Sequence, residues 1–599
     1  MKNADSKRQK KHLPPTAKPD AEDGRRDFLK LGAAALLSPL LLRSSRSSAA
    51  NAPVFPPSPP TTPWLSTLPN QITPLQAVAT LTPSPTVVAN TAGGEAGRAP
   101  HQRYAELAGV LGAPLLYELK AKERPDWVFH PAYPPQRIWG YEGNTPGAVT
   151  PGPVIYARYG KPVIVRFRNQ LPQNHVGFGT PEISTHLHNA HTGSESDGFP
   201  GDYYSANKAG PTLASPGAFK DHFYPNIYAG YDQLQNHIGD SREGLGTLFY
   251  HDHTLDFTAP NLVRGLFGFY LLFDDVDSGN ERDPSPSALR LPSFPYDYQL
   301  DFSDRRFDAN GILFYDQVNP EGVLGDKVVV NGLIEPVLKV AARKYRLRFL
   351  NTGPSRFYAI YLMTAGGVMQ RFTFIANDGN LLPAPLLNQT SFQMGVAERM
   401  DIVVDFSKYP IGTVFYLVNK MRQEDTREGK DIKDPGTRVL KIIVDRVPPE
   451  QDLSQVPAVL RPLPPITAAE IAAAPVRRWV FARNSGIWTI NGQIVNVRAP
   501  RALIPQGRAE IWELVNPEDG WTHPIHIHFE EGQIIGKIVN GVSVPVPAQQ
   551  RGRKDVYVIE EFTTLRVFLR FRDFKGKYVM HCHNLIHEDH AMMLRWDIV

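Results

Sequence analysis

The sequence predicts an all-β protein built from three related β-sandwich domains. The first observation behind this is composition: 55 Pro and 47 Gly in 599 residues interrupt helices too often for a helical core. The second is a β-rich run that closes on Asn. It stands at Val163-Ile164-Val165-Arg166-Phe167-Arg168-Asn169. It returns at Tyr345-Arg346-Leu347-Arg348-Phe349-Leu350-Asn351 and at Glu510-Ile511-Trp512-Glu513-Leu514-Val515-Asn516, with starts 182 and 165 residues apart. Each copy alternates in part between apolar and polar residues, as a strand with one buried face does. Thirdly, Asn331-Gly332 and Asn491-Gly492 precede the second and third copies and read as tight turns.

Taken in order, residues 1–52 read as an export leader. Basic residues lead into Gly24-Arg25-Arg26-Asp27-Phe28-Leu29-Lys30, followed by the apolar run Leu31–Leu42 and the small residues Ser47-Ser48-Ala49-Ala50-Asn51-Ala52. The paired arginines resemble a twin-arginine signal for bacterial export, with cleavage near Pro53. The expected location is therefore outside the cytoplasm of a bacterium: the periplasm, or the extracellular side or cell envelope. Residues 53–98 are expected to be a Pro-rich disordered linker. The sandwiches are expected at 99–275, 276–447 and 476–599, with a second linker at 448–475.

The leader also accounts for the charge. It carries eleven Lys/Arg and five Asp/Glu, a net of +6, which leaves −2 for the rest of a chain whose total is +4. No basic surface for nucleic acid is implied. The run Leu31–Leu42 is shorter than the ~20 apolar residues of a spanning helix, so no stable membrane span is expected after cleavage. One Cys, Cys582, excludes an internal disulfide.

The histidines are unevenly placed. Of 18, none lies between His253 and His523, and ten fall in four clusters: His186-Leu187-His188, His251-Asp252-His253, His523-Pro524-Ile525-His526-Ile527-His528, and His581-Cys582-His583 with His587. On a strand, residues i and i+2 share a face, so each H-x-H pair turns two imidazoles toward one metal site. In His581-Cys582-His583 the thiol faces the other way, and one strand can serve two metal centres. His523 and His587 are the imidazoles left over from the pairs. With the Cys582 thiolate and a weak axial Met592, they make the donor set of a blue-copper site. Met593 is the competing methionine. A structural zinc site closes with four ligands, which is too few for this set. Met363, Met369, Met394, Met400 and Met421 form no dense run and read as core residues. His101, His130, His175, His222 and His237 read as surface or satisfied polar residues, and His191 and His590 as non-ligands.

The four clusters, in this order, resemble the copper motifs of multicopper oxidases. His188-Asn189-Ala190-His191 through Asp197-Gly198, and Glu588-Asp589 after His587, are most similar to the spore-coat laccase, bilirubin oxidase and phenoxazinone synthase group. The resemblance covers nearly all of the chain after about residue 100. It implies three cupredoxin-like Greek-key sandwiches and four coppers: type 1 at His523, Cys582, His587 and Met592, type 2 at His186 and His526, and paired type 3 ions at His188, His251, His253, His528, His581 and His583. It also implies electron passage from the type 1 site through Cys582 to His581 and His583, and reduction of dioxygen to water with Glu588 and Asp197 supplying protons. The expected reductant is a phenol or an aromatic amine. A metallo-oxidase of Cu(I) or Mn(II) is the second reading, and a non-catalytic copper-holding protein the third.

Overall fold

A computed structural model describes residues 55–202, 213–234, 236–429 and 431–599; the leader predicted over 1–52 lies outside the described residues. The rest forms three two-sheet β-sandwiches, each with its own buried core. In the first, one sheet runs in the order Gln136–Glu142, Leu115–Trp127, Val163–Gln170, Phe219–Tyr224. The facing sheet ends on strand β1 (Thr185–His188) beside β2 (Thr247–Asp252). The second sandwich pairs an eight-stranded with a five-stranded sheet. In the third, a seven-stranded sheet faces one that holds β3 (His523–Ile527), β4 (Val556–Ile559), β5 (Gly576–Cys582) and β6 (Met593–Ile598). Two short helices join the site region: α1 (Thr258–Arg264) and α2 (Leu585–Asp589).

The repeated run ending in Asn is the same structural element three times. Val163–Gln170, Lys344–Asn351 and Arg508–Asn516 each lie inside a sheet, parallel to one neighbour and antiparallel to the other. Each closing Asn is buried. Its Oδ1 takes the N–H two residues on, from Leu171, Gly353 and Glu518, and its Nδ2 donates to a carbonyl of the next loop. An Asn satisfies donor and acceptor at once where the chain leaves the sheet, which Asp or Leu cannot do. In the third copy that carbonyl belongs to Trp521, so the motif fixes the chain two residues before His523. The Asn-Gly pairs are turns as expected: Asn331 and Gly332, and Asn491 and Gly492, all have positive φ.

The disordered linker expected over 53–98 is a correction. From Phe55 onward this segment is strapped to the sandwiches. Trp64, Leu68, Leu75, Val78 and Ala96 donate backbone hydrogen bonds of 2.7–3.0 Å to Glu335, Val337, Val154, Leu116 and Phe219. Leu68 enters the core of the second sandwich, Leu75 that of the first and Leu81 that of the third. Proline-rich chain stays extended without internal hydrogen bonds, and widely spaced apolar residues give it anchors. Composition registers the first property and not the second.

Candidate metal centre

The register of two strand pairs builds the larger of two histidine groups. β1 and β2 pair antiparallel with His186 opposite His251, and β3 and β5 pair with His526 opposite His581. β1 is the edge of its sheet, so His186 and His188 can meet residues of the third sandwich. Eight histidines converge there, all buried: His186, His188, His251, His253, His526, His528, His581 and His583. They divide into triads. His188, His251 and His583 form one, and His253, His528 and His581 another, with His186 and His526 beside His188. One triad takes two residues from the first sandwich and one from the third, and the other reverses the count. Neither sandwich holds the group alone.

Hydrogen bonding chooses which nitrogen of each ring is left over. Nδ1–H of His186 donates to the Asp197 carbonyl, that of His251 to Asp252 O at 2.8 Å, and that of His526 to Asp555 O at 3.0 Å. His528 Nδ1 donates to Asp197 Oδ2 at 2.8 Å. Nδ1 of His253 and of His581 lie 3.0 Å from Oε1 and Oε2 of Glu588. Each of these six rings keeps Nε2 for the centre. His188 differs: its Nε2 lies 3.0 Å from Asp555 Oδ2, and neither of its nitrogens has a hydrogen-bond partner.

The second group is the Cys. Cys582 Sγ lies 3.6 Å from His523 Nδ1 and 3.5 Å from His587 Nδ1, and the two nitrogens are 3.2 Å apart. His587 Nε2–H donates to the Glu321 carbonyl at 3.1 Å, and Trp488 stacks on the same ring. Met592 is buried in the apolar cluster that contains Cys582; Met593 packs into a separate cluster with Phe199 and Val579. Met592 lies just before β6 and Met593 opens it.

α2 serves both groups. Asn584 caps it with its side chain on Ile586 N–H, and successive helical residues project about 100° apart. His587 therefore turns to the Cys and Glu588 to the histidine triad. Asp589 takes the N–H groups of Thr258 and Ala259 at the start of α1, both at 2.9 Å. This cap fastens the third sandwich to the first.

The imidazole donors lack protons or partners in the way a metal requires. Burial, with neighbouring histidines adding to it, holds His186, His188, His526, His528 and His583 well below the usual imidazole range. His251 and His523 are lowered to about 3. Cys582 goes the other way: burial raises the thiol and keeps its proton on the sulfur until a metal displaces it. Nε2 of His186, His251 and His526 and both nitrogens of His188 and of His583 have no hydrogen-bond partner, and buried polar atoms are rarely left so. In the other triad His528 Nε2 lies 3.2 Å from His253 Nε2 and 3.3 Å from His581 Nε2. Nitrogens at tetrahedral angles on one metal stand roughly 3.3 Å apart, and a sulfur and a nitrogen roughly 3.5 Å.

Comparison with known proteins agrees. The multicopper oxidase family model matches residues 462–599. Bilirubin oxidase of Albifimbria verrucaria is 32% identical over 487 residues, covering 80% of this chain and 75% of that one. The chain belongs to the multicopper oxidase family. A laccase of Bacillus stratosphericus is 30% identical over 537 residues, 81% of this chain and 94% of that one. The solved McoA multicopper oxidase of Aquifex aeolicus shares the fold, with TM-score 0.64 at 24% identity, over 81% of this chain and 97% of that one. The protein is thus a copper-dependent oxidoreductase with oxygen as acceptor, and its sandwiches are cupredoxin-like.

Copper suits the donors: thiolate with two imidazoles at one site, imidazoles alone at the other. Every histidine expected to bind copper lies in one of the two groups. Asp197 contacts His186 and His528, and Glu588 contacts His253 and His581. Burial drives Asp197 well above the usual carboxyl range. Burial acts the same way on Glu588, but His581 and His253 outweigh it and hold the carboxylate well below that range. His191 binds Asp573 at 2.8 Å and His590 bonds Ile586 O; neither joins a metal group. Sequence reading missed Asp555, Trp488 and the Glu321 carbonyl. None sits near a histidine cluster in sequence, and a backbone carbonyl leaves no signal in residue identity.

Proposed function

We propose that this multicopper oxidase is laccase-like: it takes one electron at a time from phenols or aromatic amines and reduces dioxygen to two waters. The observation that carries the reading is the placement of Cys582 between His581 and His583, with its sulfur in one metal group and its two neighbours in the other. Copper, when bound, supplies the one-electron steps, with four electrons and four protons consumed per dioxygen. His523, Cys582, His587 and Met592 would hold one ion, His186 and His526 another, and each histidine triad one more.

The chain's own residues supply the rest. Cys582 links the two groups by the shortest covalent route the backbone offers, one peptide on each side. Burial of all ten histidines excludes water from both sites. Burial favours the protonated form of the Asp197 carboxyl, and its Oδ1 has no hydrogen-bond partner. Glu588 is the charged counterpart, able to accept a proton at Oε1 or Oε2. Oxygen uptake by copper-loaded protein, screened with phenols, aromatic amines, bilirubin, Cu(I) and Mn(II), tests the reading. Uptake with the metal ions alone would make the protein a metallo-oxidase. Cys582→Ser should lose the blue colour, which belongs to the copper–thiolate bond, and a blue variant would refute the type 1 assignment. Export through the twin-arginine route belongs to the same proposal: Arg25→Lys with Arg26→Lys should leave precursor in the cytoplasm, and undiminished export would refute it.

A further inference from the structure

We propose that Arg399, on the second sandwich, is a positioning residue for the histidine-bound copper cluster: it fixes Asp555, and through Asp555 the orientation of His188 and His526. The second sandwich contributes no histidine to either group, so its part in the chemistry is invisible at the level of ligands.

All five N–H groups of the Arg399 guanidinium are used. NH1 donates to Asp555 Oδ1 at 2.9 Å and NH2 to Asp555 Oδ2 at 3.0 Å, a two-pronged clamp. The others go to backbone carbonyls of Thr247, Ala397 and Asp378 at 2.9–3.1 Å. Those partners lie on all three sandwiches: Thr247 on β2 of the first, Ala397 and Asp378 on the second, Asp555 just before β4 of the third. Arg399 and Asp555 are buried. A planar fork with every donor engaged has one orientation, and a carboxylate gripped on both oxygens inherits it.

Asp555 passes that orientation to two rings. Its Oδ2 lies 3.0 Å from His188 Nε2, and its backbone carbonyl takes the Nδ1 proton of His526 at 3.0 Å. His188 is the one histidine of the group whose Nε2 lies beside a carboxylate, so the position of the Asp555 carboxylate bears on how that ring is held. Phe249 stacks on His188 at 4.4 Å, and Arg399 lies over the far ring, 5.7 Å from its centroid. A Lys at 399 has three donors from one point and cannot grip both oxygens while holding three carbonyls. The Asp555 carboxylate would then turn, and His188 would lose its fixed partner.

The inference rests on the copper reading, and wild-type protein that takes up no copper would fail that reading first. The test is made on copper-loaded full-length protein titrated with a chelator. Total copper, the type 2 electron paramagnetic resonance signal and the blue band are followed separately. Arg399→Lys and Arg399→Gln should weaken retention of the cluster coppers, read as total copper for the ion near His188 and as the type 2 signal for the ion near His526, by about 10–100-fold, the usual cost of losing a partner that orients a ligand, while the blue band holds. Arg343→Lys is the control. Arg343 is an equally buried Arg of the second sandwich whose partners, Glu281 and Asp452, are remote from the histidines. It should lose thermal stability and keep both signals. Wild-type retention of type 2 copper in folded Arg399 variants overturns the proposal. Parallel loss of the blue band overturns it too, as does insolubility of both Arg399 variants beside a soluble Arg343→Lys, since either makes Arg399 a folding residue only.

Discussion

Trp488 lies against His587 with ring centroids 3.8 Å apart and planes 27° from parallel. The other edge of that imidazole is closed by the Glu321 carbonyl, and His587 is fully buried. Trp488 is itself buried, so a reductant reaches neither ring directly. Removing the indole opens a cavity and lets water reach the ligand. Trp488→Ala should cost about 3–5 kcal/mol of stability and lower the potential of the blue copper, because apolar surroundings help to set it. Denaturant titration and potentiometry read the two effects, and an unchanged potential would remove Trp488 from the tuning of the site.

Met592 and Met593 differ by one position and pack into different clusters. A thioether is a weak axial donor, and its loss makes a blue copper more oxidising. Met592→Leu should remain blue with a raised potential; Met593→Leu should leave the potential alone. A shift confined to Met593→Leu would reverse the choice.

Glu588 bridges two histidines of one triad, with each oxygen 3.0 Å from an Nδ1. Gln has a single acceptor oxygen and cannot take up a proton in the useful range. Glu588→Gln should stay blue and accept electrons from substrate at a near-normal rate. Its reoxidation by dioxygen should slow, with altered pH dependence. Stopped-flow separates the half-reactions. Slow anaerobic reduction with normal reoxidation would assign Glu588 to the blue site instead.

The apoprotein should be acid-sensitive. His251 and His523 are fully buried and lowered to about 3, first by burial, whereas an unfolded histidine titrates near 6.5. Between those values the unfolded chain binds protons that the folded chain refuses. Stability is therefore complete above pH 6.5 and falls as pH drops toward 3. At pH 5 each of the two costs about 2 kcal/mol. Urea unfolding of copper-free protein at pH 7 and pH 5 measures this, and equal midpoints would count against neutral, buried imidazoles.

The H-x-H pairs were legible in the sequence because a strand's alternation is local: His581, Cys582 and His583 need only their own backbone to face two ways. The Asn that closes each repeated run was legible for the same reason. Its partners for Oδ1 lie two residues on, so three copies of one pattern announced three sandwiches. What the sequence could not carry was the division of six histidines into two triads. That depends on which rings the docking of the first sandwich against the third brings together, across more than 270 residues from His253 to His528. The grip of Arg399 on Asp555 spans 156 positions. The strap from Phe55 to Arg98 read as disordered because leucines a few residues apart have no periodicity, and only the assembled sandwiches supply the three cores that receive them. Local geometry chose the donors. Packing between distant segments chose their partners, because burial and hydrogen-bond satisfaction are properties of the assembled surfaces and not of any stretch of chain.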